Sequence, residues 1–455
     1  MPQVKNIKKI KPVKKEKDPV IKVMASPKSN EPLQLVRGFK DILPSDKNYW
    51  SFLYGKFSDL ALAHGFDMIE TPIVENANLF IRAVGKQTDI VDKEMFVFED
   101  RGGERVALRP EGTAGVARAY ISHGMLAEPQ PVKLWYYGPM FRYERPQSGR
   151  LREFHQVGFE VMGDINPIID AQLMIFALGF FHDLGLGEAT LQVNSIGCPK
   201  CREKFKEALV EYYRASRPKL CEDCKKRLLK NPLRILDCKN ESCASLKSGA
   251  PQIVDWLDEE CKNHFTRVLE YLDSANVGYV LNPYLVRGLD YYTRTVFEIW
   301  PGEEDRGQNT LCGGGRFDGL LELLGGRAAP AIGMAVGVER VITQLREKGV
   351  QMPTDRKPDV FVAALGEPAK KRCLQLFEEL RRAGIMVSEN FSRDGLKHQL
   401  ESSNKIGARY TIILGQKEVS DGTIIIRDMD SGVQEVVDYS KITSELRKKL
   451  NKSYS

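Results

Sequence analysis

Leu285-Val-Arg-Gly-Leu-Asp-Tyr-Tyr-Thr-Arg294 sets an arginine, an aspartate and two adjacent tyrosines inside an apolar frame, just ahead of a strand-like segment at residues 295–300. Burying such polar heads costs free energy unless each finds a partner. One arginine with phenol hydroxyls nearby can orient a small polar ligand and neutralise an anion. The same residues could equally form a strand-edge cluster held by internal hydrogen bonds, so groups on other segments decide between the two interpretations.

A predicted hairpin at residues 134–161, with a basic loop at 145–152, supplies the first complementary groups. Because side chains alternate along a strand, Gln156 and Glu160 share one face of the returning strand, and Arg142 could join them. An amide and a carboxylate can receive an amine or an imidazole, and arginines can meet phosphates. The alternative is a solvated polar face on a half-buried hairpin.

Three further segments carry polar groups where a ligand could meet them. Glu111 and Thr113 lie where a strand runs into a helix, although Thr113 could instead cap that helix beside an Arg109–Glu111 surface pair. Arg316 follows three glycines that allow a close backbone approach to a ligand, although the glycines could also form a flexible turn. Arg340, just inside a predicted helix, could point at a triphosphate or be solvated.

Length and charge bound the organisation of the chain. Its 455 residues predict two or three domains. No apolar run approaches the ~18 residues of a membrane span, so no membrane partner is expected. Residues 1–32 hold nine lysines and three acidic residues, which matches the whole formal charge of +6. We interpret them as a disordered arm, either a solvated extension or a non-specific RNA-binding tail.

Nine cysteines, CxxC spacing and the absence of a secretory segment predict reduced thiols or bound metal in the cytoplasm rather than disulfides. Residues 197–265 read as a separate helical insert that contains two CxxC pairs with 19 residues between them. The spacing fits a structural zinc site, and reduced thiols in a small helical core are the alternative. The candidate ligands are Cys198, Cys201, Cys221 and Cys224, with Cys238 and Cys243 expected nearby.

Residues 350–357 read as a linker, and a second domain at 358–455 follows it. Strands and helices alternate there in a pattern that predicts a small α/β domain with a partly parallel sheet. The predicted elements are strand 359–364, helix 367–382, strand 385–388, helix 395–405, strands 409–414 and 423–427, and helix 440–451. Arg393, Lys397 and Lys405 lie where a basic face could form, which favours a docking role.

Taken together, residues ~33–446 resemble the histidyl-tRNA synthetases. Six motifs carry the resemblance in the family's order: Val36-Arg-Gly-Phe-Lys-Asp41, Leu108-Arg-Pro-Glu-Gly-Thr113, Phe141-Arg-Tyr-Glu-Arg-Pro146 with Phe154-His-Gln156, Leu285-Val-Arg-Gly-Leu-Asp-Tyr-Tyr292, Gly313-Gly-Gly-Arg-Phe-Asp318 and Gly333-Met-Ala-Val-Gly-Val-Glu-Arg340. The fourth is specific to the histidine enzymes and their close paralogues. The 45–72 segment, the Arg142 hairpin and the helix start at Arg340 resemble general class II synthetase signatures.

The resemblance implies an α+β fold. A class II catalytic domain at residues 33–349 would carry a six-stranded antiparallel sheet flanked by helices, with the insert at 197–265. The domain at 358–455 would bind the anticodon arm, and residues 45–72 would help to build a homodimer. The basic hairpin tip resembles a bacterial-type loop that meets the tRNA acceptor end. The insert cysteines are outside the family's general pattern, so the resemblance gives zinc no support.

The resemblance also implies the chemistry. L-Histidine and ATP would form histidyl-adenylate, which tRNA(His) then consumes. Arg142 and Arg287 would hold the α-phosphate, with Arg287 standing where most class II enzymes use a metal. Arg340 would bind the γ-phosphate, Mg²⁺ would bridge the outer phosphates, and Arg316 would be a further ATP contact. The residues implied for histidine are Glu111, Gly112, Thr113, Gln156, Glu160, Arg287, Tyr291 and Tyr292.

The main alternative is a non-enzymatic relative of these enzymes, a regulatory subunit of histidine biosynthesis. That paralogue generally lacks the C-terminal domain and loses catalytic positions. This chain has the C-terminal domain, and it has arginine at the three expected catalytic positions, Arg142, Arg287 and Arg340. These features favour the enzyme.

Overall fold

The computed structural model describes residues 32–145, 150–302, 310–353, 357–392 and 395–451. The chain divides into two compact units, residues 1–351 and 352–455. Most of the lysine-rich arm, the tip of the basic hairpin loop at 146–149, part of the expected linker and Arg393 lie outside the described residues. None of the described helices is long and apolar enough to cross a membrane.

The first unit contains ten α-helices and eleven strands within its described residues. The helices are α1 (Lys47–Ala63), α2 (Ala77–Val84), α3 (Thr113–Ser122), α4 (Pro167–Asp183), α5 (Pro199–Ala215), α6 (Glu222–Lys230), α7 (Glu241–Lys247), α8 (Glu259–Ser274), α9 (Leu320–Leu323) and α10 (Val338–Glu347). The strands are β1 (Asp67–Met68), β2 (Val74–Asn76), β3 (Val97–Glu99), β4 (Arg105–Leu108), β5 (Val132–Phe141), β6 (Glu153–Met162), β7 (Thr190–Ser195), β8 (Val280–Leu281), β9 (Thr293–Trp300), β10 (Cys312–Arg316) and β11 (Ala331–Gly337).

The main sheet has the strand order β1-β5-β6-β11-β10-β9-β7-β8. Its six central strands, β5 to β7 in this order, pair antiparallel with one another. The expected six-stranded antiparallel sheet is therefore confirmed. The two-residue strands β1 and β8 extend it at either edge, each parallel to its neighbour. A separate three-stranded sheet has the order β2-β4-β3.

The two faces of β6 have different surroundings, as its alternation predicts. The ring of Phe159 packs against Phe176 of α4, with centroids 4.8 Å apart, and against Phe57 of α1. Gln156 and Glu160 therefore point to the opposite face of the sheet. Helices α1 and α4 thus cover one face of β6, and the polar side chains lie on the other.

Helix α1 begins at Lys47 and leaves part of its apolar surface exposed. Asp46 makes no side-chain capping bond and pairs with Arg346 instead. Leu53 and Phe57 are buried, whereas Leu62 is 82% exposed. The segment after α1 forms only the two-residue strand β1. This region therefore presents apolar side chains to the surface as well as to the core.

The second unit contains the strands β12 (Val360–Ala364), β13 (Val387–Glu389), β14 (Tyr410–Leu414), β15 (Thr423–Asp428) and β16 (Gln434–Asp438) and the helices α11 (Glu367–Arg382), α12 (Leu396–Ile406), α13 (Gln416–Asp421) and α14 (Ile442–Asn451). Its sheet order is β13-β12-β14-β15-β16. The first three strands are parallel and the last two pair antiparallel. The predicted α/β domain with a partly parallel sheet is confirmed, whereas α13 and β16 were not expected.

Candidate active site

A cavity of about 930 Å³ lies over the polar face of the main sheet, between the sheet and the helical insert. Its wall combines residues that are far apart in the sequence. Eight of the residues singled out from the sequence line it: Glu111, Thr113, Arg142, Gln156, Arg287, Tyr291, Tyr292 and Arg340. Folding thus brings together, at one cavity, most of the polar side chains that the sequence predicts to form a single site.

Arg287 is held in place by a carboxylate and by the glycine strand. Its Nη1 donates to Glu298 Oε1 at 2.6 Å, and its guanidinium lies 5.2 Å from the Tyr292 ring centre. A Cβ on Gly313 would lie 2.4 Å from Arg287 Nη1, so only glycine leaves room for this arginine. Burial alone would lower the pKa of Arg287, but Tyr292 and Glu298 raise it above its ordinary value. Arg287 is therefore a fixed cation.

A hydrogen-bonded chain joins Arg287 to the end of the site that holds Arg340. Glu298 Oε2 accepts from Trp300 Nε1 at 2.9 Å and from Thr310 Oγ1 at 3.1 Å. Arg340 Nη1 donates to the Thr310 carbonyl oxygen at 2.9 Å. Burial and then the charge of Arg150 lower the pKa of Arg340. Crowding of cations at this wall favours an anionic ligand.

Arg142 is the third cation of the wall. It follows β5, and its Nε donates to the Pro110 carbonyl oxygen at 2.8 Å. Its guanidinium lies 5.2 Å from the ring centre of Phe154, which begins the return along β6. The carbonyl and the ring together orient the guanidinium at the cavity wall, because a planar cation can stack while it donates.

The junction before α3 forms a buried acidic corner. Glu111 accepts from the backbone N–H groups of Thr113 at 2.8 Å and Ala114 at 2.9 Å, so Glu111 caps the helix. Tyr291 Oη also donates to Glu111, at 3.3 Å. Burial raises the pKa of Glu111, although its two backbone hydrogen bonds oppose the rise. Arg109 is no surface partner of Glu111, since it is buried and donates to the Thr71 and Pro139 carbonyls.

Glu160 lies behind this corner and not on the cavity wall. Its carboxyl is fully buried and accepts from Thr113 Oγ1 at 2.6 Å. Its other oxygen makes no hydrogen bond within the part of the chain that the structure describes. Burial raises the pKa of Glu160 well above its ordinary value. The expected wall position of Glu160 is therefore taken by Thr113, which lines the cavity and donates to Glu160.

Tyr136 is a wall residue that the sequence analysis missed. Its ring fills the space over two glycines, because a Cβ on Gly112 or Gly158 would lie about 2 Å from ring atoms. Gly112 therefore makes room for Tyr136 and does not itself line the cavity. Tyr136 Oη and Gln156 Oε1 are buried and have no hydrogen-bond partner among the described residues. Buried groups without partners are costly unless a ligand supplies them.

Arg316 is not brought to this cavity. Its side chain is fully buried, and its Nε donates to Asp170 at 2.8 Å. Its terminal nitrogens donate to the carbonyl oxygens of Asp164 and Asn166, both at 3.0 Å. The guanidinium is thus committed to the loop before α4 and the start of that helix. The expectation that Arg316 contacts ATP is not retained.

The cysteines of the insert are grouped differently from the expected set. Cys198 and Cys201 lie with Asp258 and Cys261, whereas Cys221 and Cys224 lie with Cys238 and Cys243. Sequence spacing had joined the two CxxC pairs, but they fold into separate clusters. Each pair sits at the start of a different helix, α5 or α6, and takes its partners from later turns of the chain.

Comparison with known proteins identifies both units. A family model described as "Histidyl-tRNA synthetase" matches residues 38–201 and 225–341. A second, described as "Anticodon binding domain", matches residues 359–449. The stretch between the two matched parts of the first model belongs to the insert.

Individual relatives agree with the family models. Histidine–tRNA ligase of Pelotomaculum thermopropionicum is 44% identical over 414 residues, which cover 91% of this chain and 97% of that protein. The enzyme of the same name from Dehalococcoides mccartyi is 44% identical over 417 residues, 92% of this chain and all of the relative. A crystal structure of apo S. aureus histidyl-tRNA synthetase superposes with a TM-score of 0.75 at 34% identity, covering 91% of this chain.

Proposed function

The chain belongs to the histidyl-tRNA synthetase family of ligases, and from that membership we propose that it joins L-histidine to tRNA(His) through a histidyl-adenylate. The observation that carries this mechanism is the arrangement of three arginines, Arg142, Arg287 and Arg340, around one cavity. The cavity also holds buried polar groups that have no hydrogen-bond partner in the part of the chain that the structure describes, which suits a small polar substrate beside a polyanion.

In the first step, the histidine carboxylate attacks the α-phosphorus of ATP and pyrophosphate leaves. Negative charge builds on the α-phosphate oxygens in the transition state, so fixed cations beside them lower the barrier. Arg287, anchored by Glu298, and Arg142, anchored by the Pro110 carbonyl, supply that charge. Arg340, at the start of α10, binds the γ-phosphate, where the helix N-terminus also favours an anion.

The histidine side chain needs both a donor and an acceptor, because neutral imidazole is both. Tyr291 and Tyr292 line the pocket, and Gln156 Oε1 and Tyr136 Oη are available to bond. The α-amino group fits the acidic corner at Glu111 and Thr113. A pocket built on hydrogen bonds rejects isosteres that lack them far better than an apolar pocket does.

Magnesium is expected to enter with ATP. Glu144 lies on the cavity wall, where its Oε2 accepts from Arg150 at 3.3 Å, and its other carboxylate oxygen fits a hard cation that keeps most of its ligands from phosphate and water. Glu298 suits it less, because its oxygens already accept from Arg287, Trp300 and Thr310. A bound Mg²⁺ would neutralise charge on the outer phosphates.

In the second step, the terminal ribose hydroxyl of the tRNA attacks the adenylate carbonyl, and AMP leaves. The second unit matches an anticodon-binding family model, which supports a role in binding the anticodon arm of the tRNA. Positioning, rather than covalent chemistry by the protein, provides most of the rate enhancement in such a transfer.

We also propose a homodimer built partly on residues 45–72. Leu62 is 82% exposed, and Met68 is 51% exposed. These apolar groups lie on α1 and β1, next to a core that the same segment helps to form. A second copy of the chain would remove them from water.

An ATP–pyrophosphate exchange assay tests this function directly. The wild-type protein should exchange labelled pyrophosphate into ATP only when histidine is present, and should then charge tRNA(His). A protein that binds histidine without exchange would be the regulatory relative instead. Exchange driven equally well by other amino acids would contradict the assignment of the pocket.

A further inference from the structure

We propose that four cysteines of the helical insert, Cys221, Cys224, Cys238 and Cys243, hold one structural zinc ion. Their Sγ atoms all lie within 4.8 Å of one another, and those of Cys221 and Cys238 are 3.8 Å apart. Four sulfurs bound tetrahedrally at about 2.3 Å from a zinc ion stand about 3.8 Å from each other. One pair of sulfurs therefore already has the separation that a single zinc ion requires, and the whole set lies within about 1 Å of it.

Disulfide bonds do not explain this cluster. A disulfide joins its sulfurs at about 2.05 Å, whereas the Cys221–Cys238 separation of 3.8 Å is nearly twice that length. None of the nine cysteines forms a disulfide bond in the described structure. The four thiols come from three separate segments of the chain and meet at one point. A tetrahedral set of thiolates is a site that selects zinc.

The backbone around the cluster suits bound thiolates. Cys221 immediately precedes α6, and Cys224 lies in the first turn of that helix, where the helix dipole favours negative charge. The Cys221 N–H donates to Cys243 Sγ at 3.3 Å. Such N–H to sulfur bonds orient the ligands of a metal and reduce the charge on them. This second observation supports a metal-bound state.

The cluster anchors a wall of the main cavity. Helix α6 starts at the cysteines, and farther along it Arg227 Nη2 donates to Asp89 Oδ2 at 3.0 Å. At its end Asn231 Nδ2 donates to Asp290 Oδ1 at 3.1 Å, and Asp290 belongs to the 285–294 stretch. Cys238 itself lines the cavity. A zinc ion at the start of α6 would therefore fix the insert against the site.

The other cysteine cluster of the insert differs in its chemistry. It offers three thiols and the exposed carboxylate of Asp258, whose Oδ1 already accepts from the Cys261 N–H at 2.8 Å. Cys198 of that cluster thus provides a matched control, because its substitution also removes one insert thiol but leaves the four-cysteine cage intact.

Metal analysis of the purified protein, after dialysis against a weak chelator, tests the proposal. The wild-type chain and Cys198→Ser should each retain at least one equivalent of zinc. The double variant Cys221→Ser/Cys243→Ser should lose one equivalent relative to wild type. An unchanged zinc content in the double variant, a zinc-free wild type, or loss of all zinc from Cys198→Ser would overturn the assignment.

Two further measurements keep the proposal testable if the double variant folds poorly. Cys221→His preserves a four-ligand set and should retain the zinc equivalent. Cobalt exchanged into the wild-type protein should show thiolate charge-transfer absorption, and Cys221→Ser should weaken it severalfold. Wild-type protein that takes up cobalt without thiolate absorption would contradict the cage.

Discussion

Arg287 Nη1 donates to Glu298 Oε1 at 2.6 Å, so a carboxylate on β9 fixes the central cation of the cavity from behind. The same carboxylate reaches Thr310, whose carbonyl holds Arg340. Two of the three cations are thus positioned through one glutamate. Glu298 was not singled out from the sequence, and it touches no substrate in the proposed mechanism.

Glu298→Gln should therefore slow adenylate formation by acting through Arg287. A charge-assisted hydrogen bond contributes about 1.5–3 kcal/mol. If about half of that free energy is lost from the transition state, kcat for exchange falls roughly tenfold. The KM for histidine should change less than kcat, because the histidine pocket is untouched. Steady-state exchange kinetics check this split. A roughly tenfold rise in the KM for histidine with an unchanged kcat would contradict a positioning role.

Gly158→Ala should damage the histidine pocket through Tyr136. The added Cβ would lie 2.1 Å from a ring atom of Tyr136, so the ring must move into the cavity. We expect the KM for histidine to rise about tenfold or more, with a smaller change for ATP. Gly179→Ala on α4 is the control, since its Cβ would meet nothing within 4 Å. Unaltered histidine kinetics in Gly158→Ala would show that Tyr136 does not shape the pocket.

Glu160 should make stability depend on pH. Its pKa is raised in the fold above the ordinary 4.5, so the folded state binds its proton more tightly than the unfolded chain does. Stability attributable to Glu160 is then lost as pH rises above about 4.5, by up to about 1.4 kcal/mol per pH unit, until the folded-state pKa is reached.

Glu160→Gln should flatten that decline, which unfolding by denaturant at a series of pH values would reveal. Glu322→Gln, at an exposed carboxylate of α9, serves as the control. A variant that loses stability with rising pH as steeply as wild type would contradict the burial of an unpaired carboxyl.

Removal of residues 358–455 should separate the two steps of the reaction. The first unit is compact by itself and contains the whole cavity wall. The truncated protein should keep histidine-dependent exchange within a few-fold of wild type and lose most tRNA charging. Charging at the wild-type rate would exclude an anticodon-binding role for the second unit.

The sequence predicts those parts of the site that follow local periodicity or continuous motifs. Alternation along β6 correctly separates Gln156 and Glu160 from the residues that pack on α4. Alternation cannot indicate depth, and so it did not reveal that Thr113 lines the cavity while Glu160 is buried beside it.

The errors share a physical cause: partners that are distant in sequence. Arg316 is bound by Asp170, a residue on α4 that no spacing connects to the glycine strand. The spacing of the two CxxC pairs predicts one shared metal site. In the structure each pair lies with later residues of the insert instead, and sequence spacing cannot indicate which later cysteines approach each pair. Tyr136 could have been found, since Gly158 on the neighbouring strand leaves space that a large ring must fill.

The most direct test of the account is histidine-dependent ATP–pyrophosphate exchange by Arg287→His, with Arg382→His at an exposed site on α11 as the control. Loss of the fixed cation should reduce exchange at least a hundredfold, because it removes about 3 kcal/mol of transition-state stabilisation. Circular dichroism should be unchanged. Near-normal exchange in a folded Arg287→His protein would contradict the assignment of Arg287 as the catalytic cation.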